Sequence, residues 1–324
     1  MRTGNRVKIF EKAAVRKSVI VLGSINMDLV ATTPRLPLPG ETLMGLEFFT
    51  VSGGKGANQA VACSRLGVPT YLVGRVGGDE FGQSLLAGLK ESGVGTEAVF
   101  VDTSTSSGVA AIAVASNGEN QIIVIPGANG RIDRTEITQL EKLLPTAALL
   151  LLQLEIPLEI VMIAAQAAYK AGVPIILDPA PMPPAFPPEL YPLIEIITPN
   201  QTEASQLVGF MVLDQATATR AAQELIARGV KNAVVKLGDQ GAVCATATDC
   251  FFVPAFTVEA VDTVAAGDAF NGGLAAGLVE GLSLRSALVW AAAAGAIATT
   301  KRGAQSSLGD RATLEDFLKA RGII

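Results

Sequence analysis

The sequence predicts an α/β fold, a central and mostly parallel sheet wrapped by helices. Its apolar runs are continuous rather than alternating, as strands buried on both faces are. The first of them, "SVIVLGSINMDLV", begins at Ser18. From about Ala147 onward such runs alternate with helical patterns, the order that builds parallel strands with helical crossovers. With 324 residues, 49% of them hydrophobic and 17% charged, the chain can bury a large core.

Taken in order, the run from Ser18 ends in Gly-Ser-x-Asn, a strand passing into a polar loop. Residues 29 to 52 carry Pro and Gly punctuation between short extended runs and read as a small excursion of strands. A glycine cluster then opens a helix from about Ala57 to Leu66. "TYLVGRVG" and "DEFGQSLLAGLKESG" read as strand and helix, and extended runs follow near 97–101, 107–115 and 120–125. Between the last two, "NGEN" is a hairpin signal, and this hairpin suits pairing with the earlier excursion as a small lid sheet. Beyond Ala147 come "AALLLLQLE" as strand, "PLEIVMIAAQAAYKAG" as helix, "VPIILDPAP" as strand, a proline-rich connection, "IEIITPN" as strand and two helices. "NAVVKLGDQGAVCATATDCFFVPAF" supplies further strands, and Ala265 to Thr300 reads as two Gly/Ala-rich helices whose small side chains permit close packing. Ligands of such sheets sit at the carboxyl ends of the strands. That rule singles out Asn26, Asp28, Glu155, Asp178, Asn200, Glu203, Lys236 and Gly238.

Composition removes several classes of function. A net charge of −5 and a pI near 5.0 leave no basic patch for a nucleic-acid backbone. Mean hydropathy is high, at +0.42. The apolar runs Ser286 to Thr300 and Leu143 to Leu154 are nevertheless bounded by charges and fall short of the ~20 residues of a spanning helix, so both read as core. Residues 1–17 are basic without the apolar stretch of a secretory signal, and read as a disordered leader ahead of a single domain over 18–324. Cys63, Cys244 and Cys250 form no C-x-x-C pattern, as expected of reduced thiols in a cytoplasmic protein. There is no histidine, which excludes Ser-His-Asp and Cys-His nucleophiles, H-E-x-x-H zinc sites and any imidazole base. Proton transfer must fall to a carboxylate, lysine, tyrosine or thiol.

Six stretches offer chemistry. In "VDTVAAGDAFNGG" the backbone N–H groups of Ala265, Ala266 and Gly267 open a helix and can hold an anion, with Asp268 on the first turn able to take a proton from an attacking hydroxyl. A carboxylate that only complements the helix dipole explains Asp268 as well. "GGKGAN" brings backbone close to a ligand and adds Lys55 and Asn58 as donors, although a plain glycine turn has the same look and Gly56 after the lysine excludes a Walker A loop. Asn200 and Glu203, three apart after a strand, suit either Mg²⁺ held through water or a helix cap. "KLGDQG" suits a nucleotide or a hairpin turn. Asn26, Asp28 and Glu155 are acceptors suited to neighbouring hydroxyls. No G-x-G-x-x-G follows the first strand, which argues against a dinucleotide-binding enzyme.

Together, "GSINMD", "GGKGANQAVA", "LQLEIP", "DPAP", "TPNQTEA", "KLGDQG", "VDTVAAGDAFNG" and "KRGAQSS" stand in the order that resembles the ribokinase branch of the PfkB family of sugar and nucleoside kinases, from about Val19 to the C-terminus. The resemblance implies a ribokinase-like three-layer α/β/α sandwich with a β-sheet lid of about 29–52 and 105–125, which closes over the sugar and forms a homodimer contact. It implies ATP-dependent phosphorylation of the 5-hydroxyl of D-ribose, giving D-ribose 5-phosphate and ADP. Another sugar or a nucleoside as substrate, or a sensor that has lost catalysis, are the alternatives; the intact Asp268 and "AAG" argue against the sensor.

By the same resemblance, Asp268 is the general base and Ala265, Ala266 and Gly267 the anion hole. Asn26, Met27, Asp28, the turn Gly54, Lys55, Gly56, Ala57 and Asn58, and Glu155 form the sugar pocket, Met27 as a bulky residue that tunes it. Asn200 and the turn Lys236, Leu237, Gly238, Asp239, Gln240 and Gly241 contact ATP, together with Gly267 and Asp268, and Glu203 lies near a Mg²⁺ shell. A K⁺ site falls to Asp262 and Ser307 with backbone oxygens of Val264, Ala298, Lys301 and Gly303. Both Asp262 and Asp268 are then expected to be buried.

Overall fold

The computed structural model describes residues 17–324, so the leader expected at 1–17 lies, apart from Lys17, outside the described residues. Strand β1 (Ser18–Leu22) passes through a short loop into β2 (Asn26–Thr33), β3 (Glu47–Gly53) returns antiparallel to it, and α1 (Lys55–Arg65) rejoins the body. There follow β4 (Thr70–Gly77), α2 (Glu80–Glu91), β5 (Gly95–Asp102) and the hairpin β6 (Gly108–Ala115) and β7 (Asn120–Ile125). Next come α3 (Arg134–Leu143), β8 (Ala147–Leu152), α4 (Leu158–Lys170), β9 (Ile175–Leu177), β10 (Ile196–Ile197), α5 (Gln201–Val208) and α6 (Gln215–Ala227). The chain ends with β11 (Asn232–Lys236), β12 (Gly241–Thr246), β13 (Cys250–Pro254), α7 (Ala266–Val279), α8 (Leu284–Thr299) and α9 (Arg311–Lys319).

Nine strands form the main sheet in the order β13-β12-β11-β10-β9-β8-β1-β4-β5, all running one way except β12, which pairs antiparallel with both β11 and β13 at one edge. Because side chains alternate across a strand, each continuous apolar run feeds two cores. Val19, Val21, Leu149, Leu151, Ile176 and Val234 face one core with buried residues of α1, α2, α7, α8 and α9. Their neighbours Ile20, Leu22, Leu150, Leu152, Ile175, Leu177 and Val235 face the other, with α3 to α6. This three-layer arrangement explains why the strands read as unbroken hydrophobic sequence.

The second sheet has the order β3-β2-β6-β7, with β2 and β6 parallel. Gly118 in the "NGEN" turn has φ 88° and closes the hairpin. Strand β5, by contrast, belongs to the main sheet and leads toward the small one.

Two features position the deepest part of the crevice. A Cβ on Gly273 of α7 would stand 2.9 Å from Ala294 Cβ of α8, so only glycine lets the two helices touch and carry the start of α7 into the interior. Helix α3, to which the sequence reading assigns no element, is set by a capping box between Asp133 and Glu136, and the fully buried Glu136 carboxylate accepts from Arg75 of β4 at 2.6 and 2.9 Å.

Candidate active site

The polar residues that end β1, β8, β9 and β11 meet the first turns of α1 and α7, and Asp268 sits at the centre. It lies in the first turn of α7 and is 4% exposed. Asn58 Nδ2 donates to its Oδ2 at 2.9 Å and Gln59 Nε2 to its Oδ1 at 3.1 Å. Burial is the main force that pushes its pKa up to about 6, helped by the nearby Asp178, while Lys55 and the two amides pull the other way. No side chain caps α7. Of the three N–H groups expected to face an anion, that of Ala266 instead closes a turn onto Thr263 O at 3.2 Å; those of Ala265 and Gly267 have no partner among the described residues. The Lys236 ammonium lies close by, 3.5 Å from where a Cβ on Gly267 would stand.

The opening of α1 crosses the loop after β1. Gly54, with φ 88°, has no room for a side chain, since a Cβ would approach Asn26 N to 2.7 Å and Ser24 O to 2.8 Å. This close crossing lets Lys55 N donate to Glu155 Oε2 at 3.1 Å, beside a short Ser24 hydroxyl bond to the same oxygen. Gly56 and Ala57 are buried, and the Asn58 Oδ1 is buried with no donor among the described residues. Burial acts to lower the Lys55 pKa, but Asp268, Asp178, Glu155 and Glu203 together outweigh it and hold the ammonium charged.

On β2, Asn26 and Asp28 share a face. Asn26 Oδ1 accepts from Asn129 Nδ2 at 2.7 Å, and Asn129 also bonds the Ile25 backbone at 2.9 and 3.0 Å. Asp28 lies over Gly53, is 9% exposed and receives no hydrogen bond from the described residues. Burial first, then Glu155 and Asp268, push its pKa up to about 7. Met27 corrects the expectation made for it: it alternates to the opposite face of β2 and belongs to the apolar core, so its side chain does not join Asn26 and Asp28.

On the other side, Asn200 caps α5 and forms a capping box with Glu203, whose carboxylate accepts from Asn200 N and Nδ2, both at 2.8 Å. Burial and Asp178 raise the Glu203 pKa against Lys236 and Lys55. Lys236 ends β11 and pairs with the buried Asp178 at 3.1 Å. Leu237 is core, and the Gly238–Gln240 turn leaves Asp239 and Gln240 exposed before Gly241 begins β12.

Asp262 is only partly buried, unlike Asp268, because it lies on a surface loop and not in a helix interior. Its carboxylate accepts from Val264 N at 3.1 Å and Gly303 N at 2.9 Å, joining the loop before α7 to the loop after α8. Ala298 and Ser307 are buried, whereas Val264 and Lys301 expose their side chains and leave only main-chain oxygens to offer. The Ser307 hydroxyl donates to Ala304 O at 2.8 Å.

Comparison with known proteins identifies the family and the fold. The pfkB family carbohydrate kinase profile matches residues 16–311. The chain belongs to this family. It is 40% identical over 305 residues to the ribokinase of Haemophilus influenzae, covering 94% of this chain and 99% of that protein. It is 36% identical over 289 residues to the deoxyribokinase of Salmonella typhi, covering 89% and 94%. The structure of Arabidopsis thaliana ribokinase complexed with ribose and ATP superposes with a TM-score of 0.87 at 35% identity, covering 94% of this chain and 99% of that one.

For a pfkB-family kinase, the sequence reading left out several residues of the crevice. Ser24, Gln59, Gln153 and Asn129 hold the expected ones in place, and Asp178, noted only as a strand end, pairs with both Gln59 and Lys236. The strand-end rule singles out Asp178 after β9, and applied to β8 it also reaches Gln153. Gln59 carries no such mark.

Proposed function

We propose that the chain transfers the γ-phosphoryl group of ATP to the 5-hydroxyl of D-ribose, giving D-ribose 5-phosphate and ADP. The observation that carries the mechanism is Asp268, a buried carboxylate with a raised pKa, held by two amides at the uncapped start of α7. As the hydroxyl oxygen bonds to phosphorus, its proton passes to Asp268 and the bond to the β,γ-bridging oxygen breaks, leaving with ADP. The free N–H groups of Ala265 and Gly267, with the α7 dipole, stabilise the charge on the group in flight. Asp28, the Asn58 Oδ1 and Glu155 supply acceptors for sugar hydroxyls, and Asn26 adds polar groups beside them; Asp28 and the Asn58 Oδ1 stand without donors. Asn200 and the Lys236–Gly241 turn line the nucleotide side. A coupled ADP-release assay on D-ribose, 2-deoxyribose, fructose and adenosine tests the reading: preference for ribose supports it, preference for deoxyribose moves the assignment to the other pentose, and no ATP consumption with any of them overturns it.

Two cations belong to the proposal. Glu203, close to Lys236 and Asp178, would hold a Mg²⁺ through its water shell, and the ion would supply neutralisation of phosphate charge. The joined loops at Asp262, with one carboxylate and the main-chain oxygens of Val264, Ala298, Lys301 and Gly303, suit a monovalent cation with hard ligands, and Ser307 lies beside them. A K⁺ there would brace the loop that leads into α7. Asp262→Ala is then expected to lower kcat roughly tenfold, an ordinary coupling between sites, and to abolish any preference for K⁺ over Na⁺; unchanged K⁺ stimulation in the variant would remove the site from Asp262.

The small sheet is proposed as lid and dimer contact. Ile123 of β7 is 67% exposed and Phe48 of β3 equally so, an apolar face with unpaired edges that a second copy would cover. Sedimentation should give a dimer for the wild type and a monomer for Ile123→Lys; a monomeric wild type would disprove the contact.

A further inference from the structure

We propose that Gln59 is a positioning residue for phosphoryl transfer: its side-chain amide spans the carboxylates of Asp268 and Asp178 and ties the proton acceptor to Lys236 on the nucleotide side. The inference rests on the reading of Asp268 as general base.

Gln59 is fully buried on α1. Its Nε2 stands 3.1 Å from Asp178 Oδ2 and 3.1 Å from Asp268 Oδ1. An amide nitrogen carries two hydrogens, so each carboxylate takes one. The Oε1 accepts from Gln153 Nε2 at 2.6 Å. Chemistry allows only this orientation, because a reversed amide would aim its oxygen at two carboxylates and its NH₂ at another NH₂. Gln153 keeps its own orientation for the same bond, although this leaves its Oε1 buried without a partner among the described residues.

Beyond Asp178, the chain of contacts continues to Lys236 Nζ at 3.1 Å, beside the first turn of α7. A carboxylate held only through Oδ2 by Asn58 could swing about its last torsion. The second donor on Oδ1 fixes its plane, and so the direction of the lone pair that meets the attacking hydroxyl. Asp178 in turn is fixed between Gln59 and Lys236, so the spacing between the base and the ammonium is set by one amide. If Gln59 served only to satisfy two buried acids, its loss would appear in stability alone.

Steady-state kinetics from pH 5 to 9, with melting curves, on Gln59→Leu, Asp178→Asn and Asp268→Asn separate these cases. For Gln59→Leu, kcat should fall about 10–100-fold, the scale of a misplaced reacting group, with the sugar KM nearly unchanged. The acid limb of kcat should move to higher pH, since the lost donor favoured the ionised carboxylate. Asp178→Asn removes a like charge and should move it to lower pH. The other groups facing Asp268 are Lys55 and Asn58 of α1, Asp28 of β2 and Lys236 of β11, and they are common to all variants. A lower melting temperature with kcat, KM and acid limb all as in the wild type overturns the inference. Should Gln59→Leu not fold, Gln59→Met and the isosteric Asp178→Asn decide it in the same way: an unmoved limb in both is a refutation. If Asp268→Asn turns over like the wild type, the reading of the base falls and the inference with it; if only the Gln59 variants are normal, the inference falls alone.

Discussion

Asp268→Asn is expected to lower kcat by about 10³–10⁴, the upper range for removal of a general base, while the protein stays folded. The substitution changes one oxygen for an NH₂ in a site where both oxygens accept from amides. One of those amides must turn over. Gln59 cannot, being locked by Asp178 and Gln153, but Asn58 can, because its Oδ1 has no partner among the described residues and can accept from the introduced NH₂. The hydrogen bonds are thereby restored and a buried charge is gone, so the melting temperature should hold or rise. Turning Asn58 over removes an acceptor from the proposed sugar pocket, and the sugar KM should rise by up to about tenfold, the worth of one hydrogen bond. In the wild type, with the pKa of Asp268 near 6, kcat should fall tenfold for each pH unit below it. A variant within roughly tenfold of wild-type kcat would remove Asp268 from the role of base.

What the sequence disclosed about this site follows from where each residue lies. Asn26, Glu155 and Asp178 lie within four residues after runs whose apolar character is set by burial on both faces of a sheet, so the polar residues that follow each run mark the crevice. The lid hairpin was legible because a glycine turn with positive φ leaves a local mark at Gly118. Gln59 was not legible: it reads as an ordinary polar residue of a helix, and its meaning comes from packing against Asp268, 209 positions away. Met27 failed for the opposite reason, since adjacency in sequence puts a strand residue on the wrong face. Asp262 and Asp268 look alike in "VDTVAAGD", yet the glycine-mediated contact of α7 with α8 buries only the second. Helix α3 had a legible cap at Asp133 and Glu136 and apolar positions at Ile137 and Leu140, and reading that stretch for capping would have supplied it.

Asp28→Asn should trade sugar affinity for stability, in a pH-dependent way. Its carboxyl titrates at about 7 in the folded chain against 3.8 for the free group, because it is buried without donors near Glu155 and Asp268. A folded-state pKa raised above the unfolded one favours the fold while the group is protonated. That stability is therefore fully present below about pH 4 and is lost as pH rises through 7, at a total cost on the order of 2–4 kcal/mol. At pH 8 the substitution should raise the melting temperature by several degrees; at pH 4, where the native residue is already neutral, it should change little. In the proposed reading sugar hydroxyls are the missing donors. Two charge-assisted bonds lost should lower kcat/KM for the sugar about 10²–10³-fold and leave the KM for ATP unchanged. The same logic makes sugar binding release a proton near neutral pH, since bound hydroxyls favour the ionised carboxylate. Calorimetry in buffers of different ionisation enthalpy would read that proton directly. An equal stability gain at pH 4 and pH 8, or sugar binding without proton release in the wild type, would show that Asp28 is not the unsatisfied acceptor of the pocket.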